Sequence, residues 1–215
     1  MYIPRRYEEK DRDKIFQFIR EHSFGILISV KDGLPGGTHI PLLLGKNAAG
    51  QDTLTGHISR GNEQKYSLTN GAKVLAIFTG PHAYVSPRWY TEMNVPTWDY
   101  ISVHVYGELR IIEGEELQAA LVDLLHNYEQ GMPHPVRMEE IPEKTFSENF
   151  RGIIGFEIRI EDIQAAYKLS QNRDEQSYQQ VIAHLDQGDD PSRQVAEEMK
   201  QRADTLFNPG NEPHP

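Results

Sequence analysis

The chain has 215 residues, with 32 acidic against 22 basic side chains, a formal net charge of −10 and no cysteine. That length allows one domain, or one with an appendage, and buries roughly 70% of the unfolded surface without a disulfide or metal staple. The missing cysteines exclude disulfides, thiolate zinc sites, iron–sulfur clusters and a cysteine nucleophile, and the acidic surface repels phosphate backbones at long range, so DNA affinity would need a local basic patch.

In chain order, residues 11–22 read as a helix, with Asp11 as N-cap and Ile15, Phe16, Ile19 and His22 on one face. Phe24, Ile26, Ile28 and Val30 alternate as a strand that Asp32-Gly33 ends in a turn. Residues 38–44 predict a second strand and 53–58 a third, joined by a polar loop over 47–52. Residues 60–70 predict a short helix stopped by Gly71. The apolar run 74–78 suits a strand covered on both faces. Over 101–111 the period is sharpest: Ile101, Val103, Val105, Gly107, Leu109 and Ile111 share one face, as in a barrel wall. Residues 115–130 form an amphipathic helix with Leu117, Leu121, Leu124, Leu125 and Tyr128 on one face, and 152–160 another strand.

After Arg173 the composition changes. Tyr178, Val181, Ile182 and Leu185 form one helical stripe, and Val195, Met199, Ala203 and Leu206 a second. The expected division is therefore a barrel domain over 1–173, a helical extension over 174–207 packed on the barrel or a partner subunit, and a disordered tail over 208–215. About six strands with peripheral helices, and no alternating β-α-β pattern, predict a mainly antiparallel α+β barrel with added helices. The opening MYIPRRYEEKDRDK lacks a signal-type apolar core and no apolar run reaches membrane-spanning length, so a soluble, cytoplasmic protein without membrane contact is expected.

Several chemistries have no motif here. GxGxxG after a strand, GxxxxGK[ST], GxSxG and HExxH are all absent, which argues against a Rossmann dehydrogenase, a P-loop NTPase, an α/β hydrolase and a zincin. Glu139-Glu140 and Asp189-Asp190 lie in polar stretches and read as surface. No catalytic residue and no metal ligand is assigned.

Six segments are more specific than a core requires: Met1-Tyr2-Ile3-Pro4, Phe24-Gly25, Thr38-His39-Ile40-Pro41-Leu42, Gly56-His57-Ile58-Ser59-Arg60-Gly61-Asn62, GPHAYVSPRWYTEMNVPTW over 80–98, and KLSQNR over 168–173. In this order and spacing, from Met1 to about Leu185, they resemble the PaiB family of FMN-binding negative transcriptional regulators. The resemblance implies a split β-barrel of the FMN-binding, pyridoxamine-phosphate-oxidase-like type with C-terminal helices. It further implies a homodimer with flavin at the subunit interface, and repression of sporulation and of secreted degradative enzymes. Glu63 stands where the family favours proline, and Asp99 where it favours asparagine; Glu63 adds negative charge near the phosphate position.

On this resemblance the cofactor residues are Thr38, His39, His57, Ser59, Arg60, Asn62, Ser86, Trp98, Lys168, Ser170, Gln171 and Arg173. A flavin phosphate needs cationic and hydroxyl donors, and its ring mixed polar and apolar walls. Ser59, Arg60 and Asn62 stand where a strand meets a short helix, with Thr38 and His39 on the neighbouring strand. For Arg60 and Asn62 the plain alternative is a surface cation and a cap; for His39, His57 and His104 it is a hydrogen-bonded strand histidine. Trp89, Tyr90, Trp98 and Tyr100 follow the Ser86-Pro87 turn and suit ring stacking or subunit packing. Capping of the next helix explains Asn172 but neither Lys168 nor Arg173. Two other functions stay open: a flavin-dependent oxidoreductase on the same scaffold, and a cofactor-free interaction module. For a regulator, the partner is DNA or another regulatory protein, and no helix-turn-helix with a basic reading helix is present.

Overall fold

The computed structural model describes residues 1–207; the expected disordered tail lies outside the described residues. Eight strands and five α-helices follow one another along the chain. They are β1 (Glu8–Glu9), α1 (Arg12–Glu21), β2 (Phe24–Lys31), β3 (Leu34–Pro41), β4 (Leu43–Lys46), β5 (Asp52–Ser59), β6 (Ala72–Val85), β7 (Thr97–Ile112), α2 (Gly114–Glu129), α3 (Glu143–Arg151), β8 (Ile153–Lys168), α4 (Glu175–Leu185) and α5 (Asp190–Phe207). The strands lie in the order β3-β2-β6-β7-β8-β5-β4, with β1 beside β8. The β2–β3, β2–β6, β4–β5, β5–β8 and β1–β8 pairs are antiparallel.

The β2–β3 hairpin turns on Asp32 and Gly33, whose φ angles of 52° and 81° are both positive. Two such residues give a turn twisted like the strands it joins, and pairing runs from Lys31–Leu34 to Phe24–Pro41. The single strand expected over 38–44 is two strands, at opposite ends of the strand order. Pro41 has no N–H for a ladder, and the next N–H, of the fully buried Leu42, donates to Ser23 O at 2.8 Å. The helix expected over 60–70 is a single 3-10 turn, Glu63–Tyr66. Ser67 Oγ donates back to Gln64 O at 2.8 Å and closes that turn. Gly71 still ends the segment, at φ 83°, with its N–H on Leu109 O. Helix α3 was not expected, and none of its side chains is buried.

The chain divides into two compact units. Unit 1 holds Met1–Ile15, Thr79–Val103 and the described part of Gln164–Pro215; unit 2 holds Phe16–Phe78 and His104–Ile163. Strands β6, β7 and β8 each have residues in both. The core of unit 2 is Leu27, Leu54, Phe78, Val105, Leu109, Phe156 and Ile158, all fully buried. Gly107 belongs there because a Cβ would lie 2.4 Å from Arg159 O, so β7 and β8 touch backbone to backbone. Of the α2 stripe only Leu117 is buried.

In unit 1 the first C-terminal helix buries the stripe expected of it, and the second buries Val195 and Met199 of its stripe while Ala203 and Leu206 are only half-buried. Tyr178, Val181, Ile182 and Leu185 of α4 and Val195 and Met199 of α5 are buried, each contributing roughly 1.5–3 kcal/mol for the larger side chains. Tyr178 OH donates to Met199 O at 2.9 Å and ties the helices together. Trp89 stacks on His184 of α4, ring centroids 4.9 Å apart. Among the described residues no helix is long and apolar enough to cross a membrane.

Candidate functional site

The predicted site residues fall into two groups, one in each unit. In unit 2, β5 runs out at Ser59 into the turn through Asn62. Arg60 N–H donates to Gly152 O at 2.8 Å and its Nε to Arg151 O at 2.9 Å, while Lys65 Nζ donates to Arg60 O at 2.7 Å. These bonds anchor the turn but leave the two terminal nitrogens of the exposed Arg60 guanidinium with no hydrogen bond or ion pair among the described residues. Ser59 Oγ accepts from Gly61 N at 3.1 Å.

Asn62 and Thr38 are engaged differently. Asn62 Oδ1 accepts from Gln64 N at 2.9 Å and caps the 3-10 turn, and its Nδ2 donates to Thr38 Oγ1 at 2.9 Å. Thr38 Oγ1 donates to Gln64 Oε1. Gln64, only 8% exposed, sends Nε2 to Leu27 O at 3.0 Å and Ser29 Oγ at 2.8 Å. Beside this network lies a cleft of about 510 Å³ bordered by Lys31, Gly36, Gly37, Thr38, Asn62 and Glu63. A Cβ on Gly36 would meet nothing within 4 Å, so the strand edge there is open to a ligand. His39 is exposed, its ring 6.3 Å from that of Phe24. His57 borders a small cavity with Leu117, Leu121 and Leu124 of α2, and burial pushes its pKa down, so it is neutral at pH 7. The Arg60 guanidinium and the Ser59 hydroxyl are of the kinds a flavin phosphate requires, with Glu63 the one opposing charge in the turn; Arg60 itself borders a neighbouring cavity with Phe150 and Arg151 rather than the Gly36 cleft.

In unit 1 the centre is Asp99, at 0% exposure on β7. Ser170 Oγ donates to Asp99 Oδ2 at 2.6 Å, and Lys168 Nζ lies 3.7 Å from Oδ1. Burial pushes this carboxyl up to about 6, although Ser170 and Lys168 oppose the shift. Burial likewise pushes the Lys168 ammonium down, against the attraction of Asp99. Lys168 Nζ also donates to Thr97 Oγ1 and Trp98 O. Ser170 holds a left-handed φ of 58°, which this hydrogen-bonding compensates. Gln171 is turned inward: its Oε1 accepts from Leu169 N at 2.7 Å and its Nε2 donates to Tyr167 O. The Arg173 guanidinium lies over the Tyr90 ring, 4.0 Å from the centroid. Trp98 is 55% exposed and meets the Tyr84 ring edge-on at 6.0 Å. Ser86 Oγ accepts from Arg88 N at 3.3 Å and caps the Pro87–Trp89 turn. The cap of α4 is Asp174, accepting from Ser177 N at 2.8 Å, rather than Asn172.

The structure thus gathers Thr38, Ser59, Arg60 and Asn62 in unit 2, and Trp98, Lys168, Ser170, Gln171 and Arg173 in unit 1. Sequence reading missed Gln64, Tyr7 and the burial of Asp99. For Asp99 the signal existed, because the alternation of Ile101, Val103 and Val105, extended back by two residues, places it on the apolar face.

This strand arrangement is shared with flavin-carrying proteins. A FAD and heme binding protein from Mycobacterium smegmatis aligns with a TM-score of 0.56 at 16% identity, covering 75% of this chain and 73% of that one. The flavocytochrome Anf3 from Azotobacter vinelandii aligns with a TM-score of 0.55 at 13% identity, covering 77% of this chain and 72% of that one. The fold is the split β-barrel of the flavin-binding type, with added C-terminal helices. Residues 1–162 match the family described as "Putative FMN-binding domain", and the chain belongs to that family. Over 203 residues it is 40% identical to Protease synthase and sporulation protein PAI 2 of Bacillus subtilis (strain 168), spanning 94% of this chain and 98% of that one. The family match includes the Arg60 turn and ends before Lys168.

Proposed function

We propose that this protein is a cytoplasmic, homodimeric, FMN-binding negative regulator of transcription, acting on sporulation and degradative-enzyme functions as its PAI 2 relative's name indicates for that protein. The observation that carries the flavin part is Arg60: a guanidinium held by its Nε and backbone, with its terminal donors free, on a turn inside the family match. Arg60 would bind the phosphate as a two-pronged donor, with Ser59 Oγ beside it. Thr38 and Asn62 fix the turn against β3 and so position those donors. Bound FMN supplies redox chemistry; the neutral His57 beneath the strand adds no charge to it. A net charge of −10 favours a regulatory protein partner, or a small basic patch, over a broad DNA-binding face.

The test is to titrate FMN into cofactor-stripped protein, following flavin fluorescence together with oligomeric state. Saturation at one flavin per subunit of a dimer, followed by promoter-specific gel shifts alone or with added partner, supports the reading. Substrate-linked reoxidation of the reduced flavin without any promoter effect would move the assignment to an oxidoreductase. No flavin binding at all would reduce the scaffold to an interaction module.

A further inference from the structure

We propose that the groove beneath α2 binds a short linear peptide with free termini, its ammonium at one end and its carboxylate at the other. The groove has a volume of about 580 Å³, within the range of small-molecule sites, and lies wholly in unit 2. One face of α2 is its wall, from Glu116 through Ala119, Ala120 and Asp123 to Asn127 and Gln130, a rise of roughly 21 Å. The floor is the sheet, where Leu43, Thr55 and Glu157 pair in one row across β4, β5 and β8. The helix crosses those strands. Its first turn shares Arg110 with Glu157 of β8, and near its last turn Tyr128 OH lies 2.6 Å from Ser23 Oγ, beside the start of β4.

The two ends carry opposite charge. At the β8 end Glu116 and Glu157 share one guanidinium: Arg110 Nε donates to Glu157 Oε1 at 2.8 Å and Nη1 to Glu116 Oε2 at 2.9 Å. Two carboxylates on one cation leave a negative charge over. Glu157 is 8% exposed, and its second oxygen has no hydrogen bond among the described residues. An ammonium, with three donors, fits there. At the β4 end stands Arg20, exposed and without a hydrogen bond or ion pair from its side chain among the described residues. The other cation at that end, Lys46, is held by Asp52 at 2.6 Å. Asp123, midway along the wall, disfavours a ligand that is anionic throughout, so the carboxylate belongs at Arg20.

Between the ends, the groove offers hydrogen bonds that nothing takes up. Thr53 lines it and is 1% exposed, yet its hydroxyl has no hydrogen bond among the described residues. Its partner on β4 is Gly45, where a Cβ would meet only Thr53 Oγ1 within 4 Å, at 3.9 Å. The missing side chain leaves the hydroxyl uncovered. Buried polar groups are rarely left unmatched, and a chain of amides between charged ends supplies both donor and acceptor. Length agrees as well. An extended peptide of three to four residues spans roughly 10–14 Å, and β8 and β4 lie two strand spacings, about 10 Å, apart. None of these residues is among those that would hold flavin, so the groove stands or falls apart from that reading.

The test is calorimetric titration of trialanine into the full chain. Expected are one peptide per chain and binding about tenfold weaker for the N-acetylated and for the C-amidated peptide, each of which lacks one charged end. Arg20→Ala, at an exposed position, should bind trialanine about tenfold more weakly and no longer distinguish the acid from its amide. Gly45→Val sets a side chain over Thr53 and should abolish binding; valine suits a strand, and an unchanged urea midpoint shows that the variant folds. The proposal is overturned by absence of saturable binding, by equal affinity for the capped peptides, by an Arg20→Ala variant that still prefers the acid, or by a folded Gly45→Val that binds as the parent does. If Gly45→Val does not fold, the capped peptides and Arg20→Ala decide the matter.

Discussion

Each unit contains a buried polar cluster, and the two are built on opposite plans. In unit 2 the Gln64 amide joins β2, β3 and the Asn62 turn, and its donors and acceptor all find partners. In unit 1 Asp99, Lys168, Tyr90 and Arg173 come together just as closely, yet Asp99 Oδ1, Tyr90 OH and Arg173 Nε are left without hydrogen bonds. A closed network spends its polar atoms on holding strands in place. An open one holds its groups by charge and ring contacts rather than by close hydrogen bonds, and accepts a cost in stability for it.

The largest effect expected from this contrast is a pH dependence in the open cluster. The Asp99 carboxyl, at about 6 in the fold against an ordinary 3.8, contributes stability that is full below pH 4 and lost as the pH rises to about 6. Asp99→Asn cannot titrate. Urea unfolding across that range should therefore show wild type losing about 3 kcal/mol relative to the variant, with a constant difference above pH 7. A difference that is flat from pH 4 to 7 would mean that the carboxyl is ionised throughout.

The closed cluster should respond to truncation at every pH. Gln64→Ala strands Leu27 O and weakens the hold on Thr38 and Ser29, so a loss of about 2 kcal/mol in unfolding free energy is expected, without the pH slope. At its border, Arg60→Ala should leave the melting temperature nearly unchanged and weaken FMN binding by about 1.5 kcal/mol, read by flavin fluorescence. The smallest effect is Glu63→Gln. Removing the opposing charge from an exposed turn should tighten FMN by ~0.5 kcal/mol, and the gain should vanish in high salt.

Local pattern carried much of the fold. The apolar spacings of α4 and α5 and the Asp32-Gly33 turn announced those elements, because burial and backbone handedness act over a few residues. The break at Leu42 was hidden, since it depends on a hydrogen bond to Ser23 across the chain and leads to strands at opposite ends of the order. The helix expected over 60–70 failed for a related reason: Asn62 and Ser67 satisfy the backbone of a single turn and leave nothing to propagate. At the site, Arg60 was visible through its motif. The approach of Lys168 to Tyr7 was not, because more than 160 residues separate the two.

The stacking of Trp89 on His184 has an optical consequence. The chain has two tryptophans, Trp89 and Trp98, and both belong to unit 1. One is held against an imidazole and the other stands largely in solvent, so their emission should differ in colour. Tryptophan emission followed during denaturation therefore watches unit 1 alone. Far-ultraviolet circular dichroism, which sums the backbone of both units, supplies the other half, and any gap between the two melting curves measures how independently the halves of this barrel come apart.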